Sequence, residues 1–257
     1  MVLVPTLGFA LLGAILASFV GVIVARLHTG SPIASGRSQC DSCGKTLSFL
    51  DLIPILSFAL ALGRARCCSS RLGALSPLSE VLLALLFAAS YLKFGLSPDL
   101  LFFLIALTLL LALVLYDLAH TILPPVLLYP FVLSALVFSW FSSPDLSVFI
   151  ENASIALALA VSLAVIHFAS RGRAMVLADA PFAFGCALLA VGAALSGFIF
   201  SFWIGAAIGI IILVKTPRGH RMGIEVPMAP FFALGFLLAS FTSWNPFNLV
   251  AVLFGAL

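Results

Sequence analysis

Two carboxylates carry the strongest chemical signal in this sequence. Asp117 lies in Leu115-Tyr116-Asp117-Leu118-Ala119-His120-Thr121-Ile122-Leu123-Pro124-Pro125, where a long apolar run ends. Asp179 lies in a similar setting, Met175-Val176-Leu177-Ala178-Asp179-Ala180-Pro181. An ionisable group at the edge of a membrane span, or inside it, is costly and by default marks a functional site. Two acids close together share a proton, one ionised and the other held neutral by repulsion. Such a pair can activate water and protonate a leaving amine, which amounts to peptide hydrolysis without a metal or a covalent nucleophile. Each acid also has a plainer reading as a helix-end residue. That reading suits Asp179 at a helix start and suits Asp117 less, because the dipole disfavours an anion where a helix ends. Ion or proton transport is a third use for the same groups.

Other residues add weaker signals. Glu80 stands about one turn into an apolar run, in Pro77-Leu78-Ser79-Glu80-Val81-Leu82, and Glu225 precedes Val226-Pro227. Both read first as helix-start acids and second as ligands for a cationic substrate group. Cys40-Asp41-Ser42-Cys43 has the spacing of half a zinc site, with Gly44 following as in zinc knuckles. The second half should be another C-x-x-C, but the sequence offers the adjacent pair Cys67 and Cys68. Zinc bound by Cys40, Cys43, Cys67 and Cys68 therefore stays open on sequence grounds. Cys186 reads as a small packing residue. His28, His120, His167 and His220 show no H-E-x-x-H spacing; His120, three residues after Asp117, reads first as a solvated helix-boundary residue and second as one that tunes Asp117. A Walker loop, a dinucleotide glycine fingerprint and G-x-S-x-G are all absent. Nucleic-acid binding has no support beyond cations that membrane topology explains.

The elements that must position these residues are membrane helices. Of the 257 residues, 63% are hydrophobic and 8% charged, and the mean hydropathy is +1.29. A water-soluble domain of this length would lack the polar surface to cover its core. The unbroken apolar runs exclude the alternation of a β-barrel. The fold class is an all-α polytopic membrane protein with about eight transmembrane helices. Expected spans cover residues 5–25, 74–92, 98–117, 122–142, 148–169, 177–197, 199–214 and a last one from Val226. The first lacks a cationic n-region and a cleavage site, so it reads as retained. The stretch Leu50 to Leu62 is apolar but too short to span and reads as re-entrant or interfacial. With this count, 11 of the 12 Lys and Arg residues fall on one side and only Lys93 on the other. That bias makes the first side cytoplasmic and puts Asp117 and Asp179 on the same face.

Several segments together resemble the prepilin peptidases, the type IV leader peptidase/N-methyltransferase family, nearly end to end. Ser18-Phe19-Val20-Gly21-Val22 with Arg26 resembles the family's S-F-x-N-V-x-x-x-R. Cys40-x-x-Cys43-Gly44 and Asp51-Leu52-Ile53-Pro54-Ile55-Leu56-Ser57 resemble its cysteine motif and N-I-P-x-L-S. Gly63-Arg64 with Cys68, then Ser76-Pro77-Leu78-Ser79-Glu80, resemble G-R-C-x-x-C and Y-P-L-V-E. Asp117 with Leu123-Pro124 resembles the first aspartate motif, and Asp179 stands where G-x-G-D carries its acid. Gly223-Ile224-Glu225-Val226-Pro227-Met228-Ala229-Pro230-Phe231-Phe232-Ala233-Leu234-Gly235 resembles E-I-P-F-G-P-F-L-A-L-G and is the most specific match.

The resemblance implies an eight-span inner-membrane aspartic protease. Such an enzyme cuts the cationic leader from type IV prepilins or type II secretion pseudopilins at the cytoplasmic face, with Asp117 and Asp179 as the dyad. It then methylates the new N-terminus with S-adenosylmethionine. Glu80, Glu225 and Pro227 are the substrate-binding candidates, and the lipid bilayer and pilus or secretion assembly components are the expected partners. The expected domains are a first helix (1–26), a cytoplasmic methyltransferase-type loop (27–73) and a seven-helix peptidase domain (74–257). This sequence departs from the family at Ala65, where the third zinc cysteine is expected, and at Val176 and Ala178, where G-x-G-D has glycines. Gly21 replaces an asparagine, and Pro125 replaces an acid or amide. Two alternatives follow: an inactive scaffold of an assembly system, and a proton-coupled transporter.

Overall fold

The computed structural model describes residues 2–27, 40, 42–46, 48, 54, 56–61, 63–173, 175–215, 226–242 and 244–246. Among these the secondary structure is helical apart from isolated bridge positions, the antiparallel pair Arg64 and Arg71 and the single residue Thr46. The helices are α1 (Leu3–Arg26), α2 (Leu56–Leu60), α3 (Leu75–Phe94), α4 (Pro98–His120), α5 (Pro125–Ser142), α6 (Leu146–Ala169), α7 (Asp179–Leu189), α8 (Ala194–Lys215) and α9 (Ala229–Phe241). Six of them, α1, α3, α4, α5, α6 and α8, are long and apolar enough to cross a membrane. The chain is a multi-pass membrane protein. The five-residue α2 occupies part of the short apolar stretch after the first span.

The chain divides into two compact units, residues 1–100 and 101–257. In the first, α1 packs on α3. Gly13 makes the close approach possible, since a Cβ there would lie 2.7 Å from the Leu83 carbonyl oxygen. Lipid offers apolar side chains no reason to leave it, so spans associate where small residues let backbones touch. Phe9 stacks on Tyr91 farther along the same pair, with ring centroids 4.9 Å apart. Gly95, at φ +66, ends α3 in a left-handed conformation that glycine adopts freely.

The second unit is built around α7. Nine of its eleven residues are buried, and it packs against α5, α6, α8 and α9. Its small residues create the room: a Cβ on Gly185 would collide with the Phe131 ring of α5. Phe182 lies between Phe131 and Phe232, at centroid distances of 5.6 and 6.5 Å. α8 and α9 pack still more tightly. A Cβ on Gly235 would lie 2.6 Å from Cα of Ser201, and one on Gly197 would lie 2.9 Å from Cα of Phe236. α4 joins this unit through Phe103, whose ring meets Phe138 of α5 and Phe241 of α9.

The sixth and seventh spans differ from expectation. A single helix over 177–197 does not form. α7 stops at Leu189, the chain turns through residues 190–193 with Gly192 at φ +73, and α8 starts at Ala194 rather than near 199. Broken helices survive at membrane depth only where protein satisfies the freed backbone groups. Here the Asn152 side-chain oxygen on α6 accepts the Gly192 N–H at 3.1 Å, and the Ser240 hydroxyl on α9 shares its hydrogen between the Phe236 carbonyl at 2.7 Å and the Leu189 carbonyl at 3.3 Å. The break is invisible to hydropathy because alanines and a glycine continue the apolar run. α9, with 13 residues, is likewise short.

Gly235→Ala should destabilise the protein by at least about 1 kcal/mol, because backbone rather than a flexible side chain occupies the space. Thermal unfolding in detergent measures this, and an unchanged midpoint would show that α8 and α9 can separate at no cost.

Candidate active site

Asp117 lies one turn before the end of α4, and Asp179 is the first residue of α7. Both are buried, with 6% and 7% of their surface exposed. A carboxylate withdrawn from water needs donors in place of the solvent it loses. Asp117 receives a main-chain N–H from the first residue of α9, and Asp179 receives one from the non-helical segment just before α7.

Asp117 Oδ2 accepts the N–H of Ala229, the first residue of α9, at 3.0 Å. The local sequence isolates that donor. Pro230 has no N–H, and the N–H groups of Phe231 and Phe232 both bond to the Met228 carbonyl at 3.1 Å. The Ala229 N–H is thus the first-turn donor left for a carboxylate. The helix start also supplies a positive dipole end. Asp117 is therefore unfavourably placed with respect to its own helix and well placed with respect to α9.

Asp179 reaches back along its own chain. Its Oδ2 accepts the Val176 N–H at 3.0 Å, while its own N–H donates to the Val176 carbonyl at 3.1 Å. Pro181 again removes one N–H from the first turn. Asp179 is close enough to Asp117 for their charges to interact. The two acids singled out in the sequence are thus within range of each other's charge, Asp117 beside the first residue of α9 and Asp179 at the first residue of α7. Val176 and Ala178, which replace glycines of the family motif, do not have positive φ, so their backbone does not require glycine.

The other candidates are placed as follows. Glu80 is buried on α3 in the first unit. Pro227 is half-buried in the extended segment leading to α9. Glu225, Asp51, His28 and His220 lie outside the described residues, as do the loop 216–225 and the tail from 247. The His120 ring packs on Tyr116, with centroids 4.6 Å apart. Cys186 is a buried packing residue of α7, as read from the sequence. Sequence reasoning missed the two backbone donors at Val176 and Ala229. Main-chain amides carry no residue-type signature, although the proline just after each helix start is a usable signal.

The cysteines form a separate centre in the first unit. The sulfurs of Cys40, Cys43, Cys67 and Cys68 all lie within 4.8 Å of one another. Cys40 and Cys68 are 3.8 Å apart, Cys43 and Cys67 3.3 Å, and Cys67 and Cys68 3.8 Å. A tetrahedral ion with Zn–S bonds of about 2.3 Å holds its sulfurs about 3.8 Å apart. The donor set fits such an ion. The adjacency of Cys67 and Cys68 is no obstacle, because the chain folds into two copies of one turn. The Cys40 N–H donates to Lys45, and the Gly44 N–H donates to Cys40. At the same offsets the Ala65 N–H donates to Ser70, and the Ser69 N–H donates to Ala65. Gly44 and Ser69, equivalent in the two turns, have φ +69 and +58. Cys68 is then the counterpart of Cys43, and Ala65 that of Cys40. Cys67, two positions after Ala65, brings in the fourth sulfur.

The electrostatics of the thiols follow from these turns. The Ser42 N–H, then that of Cys43, holds the Cys40 thiol below its usual range. The Ser70 hydroxyl, then its N–H, brings Cys68 down to about 6. Cys67 is pushed up to about 12, chiefly by its contact with Cys43. A cation at the centre would reverse that effect, since a coordinating thiol is deprotonated outright.

Residues 11–94 match the family model described as the Bacterial Peptidase A24 N-terminal domain. A prepilin leader peptidase/N-methyltransferase of Bacillus subtilis (strain 168) is 31% identical over 235 residues, covering 88% of this chain and 90% of that protein. The chain belongs to the prepilin leader peptidase/N-methyltransferase family. A second family member, from Dickeya chrysanthemi, is 29% identical over 93% of this chain and 94% of its own length. One from Myxococcus xanthus (strain DK1622) is 34% identical over 50% of this chain and 38% of its own length. No solved structure matches the chain.

Asp117→Ala leaves the fully buried Ala229 N–H without an acceptor, which should cost about 1–3 kcal/mol. Asp117→Asn keeps an oxygen for that bond and should cost clearly less. Thermal unfolding of the two variants tests this, and equal midpoints would mean the carboxylate does not cap α9.

Proposed function

We propose that this chain is a leader peptidase for type IV prepilins or type II secretion pseudopilins, with Asp117 and Asp179 as its catalytic dyad. The observation that supports this reading is that two buried carboxylates, each held by one backbone N–H, lie within range of each other's charge. One carboxylate takes a proton from water as its oxygen attacks the scissile carbonyl carbon. The other, in its neutral acid form, donates its proton to the amide nitrogen, the C–N bond breaks, and the new amine leaves. Both steps are general acid–base chemistry and need no covalent intermediate. Glu80, Glu225 and Pro227 contact the substrate, the two acids meeting the cationic leader. The protein sits in the inner membrane with its active site facing the cytoplasm, as the Lys and Arg distribution supports.

The second activity in the relatives' name, N-methyl transfer, is proposed for the region 27–73, acting on the amine that cleavage exposes, with S-adenosylmethionine as donor. Cys40, Cys43, Cys67 and Cys68 hold zinc. A closed four-sulfur set leaves no open position, so the ion's contribution is structural.

Wild-type protein incubated with a panel of prepilins should release their leaders, and Asp117→Asn or Asp179→Asn should abolish release while the protein still inserts. Normal processing by either variant sinks the dyad, and a wild type that cleaves none of the panel but co-purifies with assembly components favours the scaffold. In the cysteine centre, Cys67→Ser should lose stoichiometric zinc, and adding Ala65→Cys to that variant should restore it, read by metal analysis and by the absorption of bound cobalt. Full zinc in Cys67→Ser alone would remove Cys67 from the ligand set.

A further inference from the structure

The peptide group between Met175 and Val176 is bonded at both ends. Its N–H donates to Asp179 Oδ2 at 3.0 Å. Its carbonyl oxygen, on Met175, lies 2.8 Å from Nδ1 of His167, in the last turn of α6. A carbonyl only accepts, so Nδ1 carries the hydrogen of this bond. We propose that His167 is a positioning residue for Asp179, acting through this one peptide group. The proposal rests on the reading of Asp179 as a member of the dyad.

The ring is itself held in place. The Gly172 N–H donates to the His167 carbonyl at 2.8 Å, which folds the turn after α6 back over the side chain. Gly172 has φ +75, and a Cβ there would sit 3.4 Å from Cε1 of the ring. The Phe168 ring meets the imidazole edge-on at 5.3 Å. The imidazole is thus packed on two sides with its Nδ1 aimed at Met175.

The consequence for Asp179 is geometric and electrostatic. The segment 175–178 precedes α7 and is not helical, so little in its own backbone fixes the 175–176 peptide plane. A donor on the carbonyl fixes that plane and polarises the group, which strengthens the N–H bond to the carboxylate on the other side. Without the donor the plane is free to rotate, and the Val176 N–H leaves Asp179. A misplaced catalytic group lowers the chemical rate more than it weakens substrate binding. His167 touches no reacting atom; its positioning effect passes through Met175 and Val176, beside a direct charge interaction with Asp179.

The test compares His167→Asn, His167→Gln and His167→Leu with wild type and Asp179→Asn, cleaving one prepilin in detergent. The Asn amide nitrogen falls at the position of Nδ1, whereas the Gln nitrogen falls near Nε2. Leu and Gln variants should lose about tenfold in kcat with KM changed by less than about twofold, the signature of lost transition-state stabilisation. The Asn variant should retain most of the wild-type kcat. The Asn and Gln variants differ by one methylene, so their comparison decides the matter even if the Leu variant unfolds. Undiminished kcat in both Leu and Gln variants, equal losses in Asn and Gln, or a loss confined to KM would overturn the proposal. If wild type cleaves and Asp179→Asn does not, those results bear on His167 alone. A wild type that cleaves nothing overturns the peptidase reading and this proposal with it.

Discussion

An acid taken out of water inside a membrane must be given hydrogen-bond donors, and most of the second unit can be understood from that requirement. Regular helices consume their own N–H groups everywhere except in the first turn. A span of full length delivers that first turn to the membrane surface. A half-length helix can deliver it to a buried carboxylate. Among the described residues α7 and α9 are the two apolar helices of 10–17 residues; Asp179 is the first residue of α7, and the first residue of α9 bonds Asp117. The start of α9 lies where its free donor is needed.

Short helices create a second problem, because their far ends also expose backbone. The structure meets it with side chains from neighbouring helices, Asn152 at Gly192 and Ser240 at Leu189. The same helices must come close to their neighbours, which explains the glycines at 185, 197 and 235. The acids, the helix breaks and the glycine contacts are therefore linked. Moving one element along its axis would unbond a carboxylate at one end and a carbonyl at the other.

Much of this could be read from residue types. Asp117 and Asp179 stand out because lipid makes their charge expensive, and the eight apolar runs are long and clear. The break at 190–193 could not be read, since alanine and glycine are as apolar as the helix they interrupt. Nor could the donors at Val176 and Ala229, which belong to the main chain. The cysteine centre shows a different limit. Cys67-Cys68 looks wrong for a zinc half-site when spacing is compared with C-x-x-C. The family resemblance already puts Ala65 at the missing ligand position, and the structure adds the repeated turn and shows that Cys67 reaches the same centre from two residues on. His167 had no recognisable spacing at all, because its partner is a carbonyl eight residues away.

The central claim is that Asp117 and Asp179 act as one unit on one tetrahedral centre. The most direct measurement is the affinity of an uncleavable leader peptide carrying a hydroxyl-bearing isostere at the scissile bond, taken for wild type, each single Asn variant and the double variant. Groups that act together are strongly non-additive. The account predicts that either single substitution loses nearly as much affinity as both together. Losses that simply add, or an affinity unaffected by either change, would contradict it.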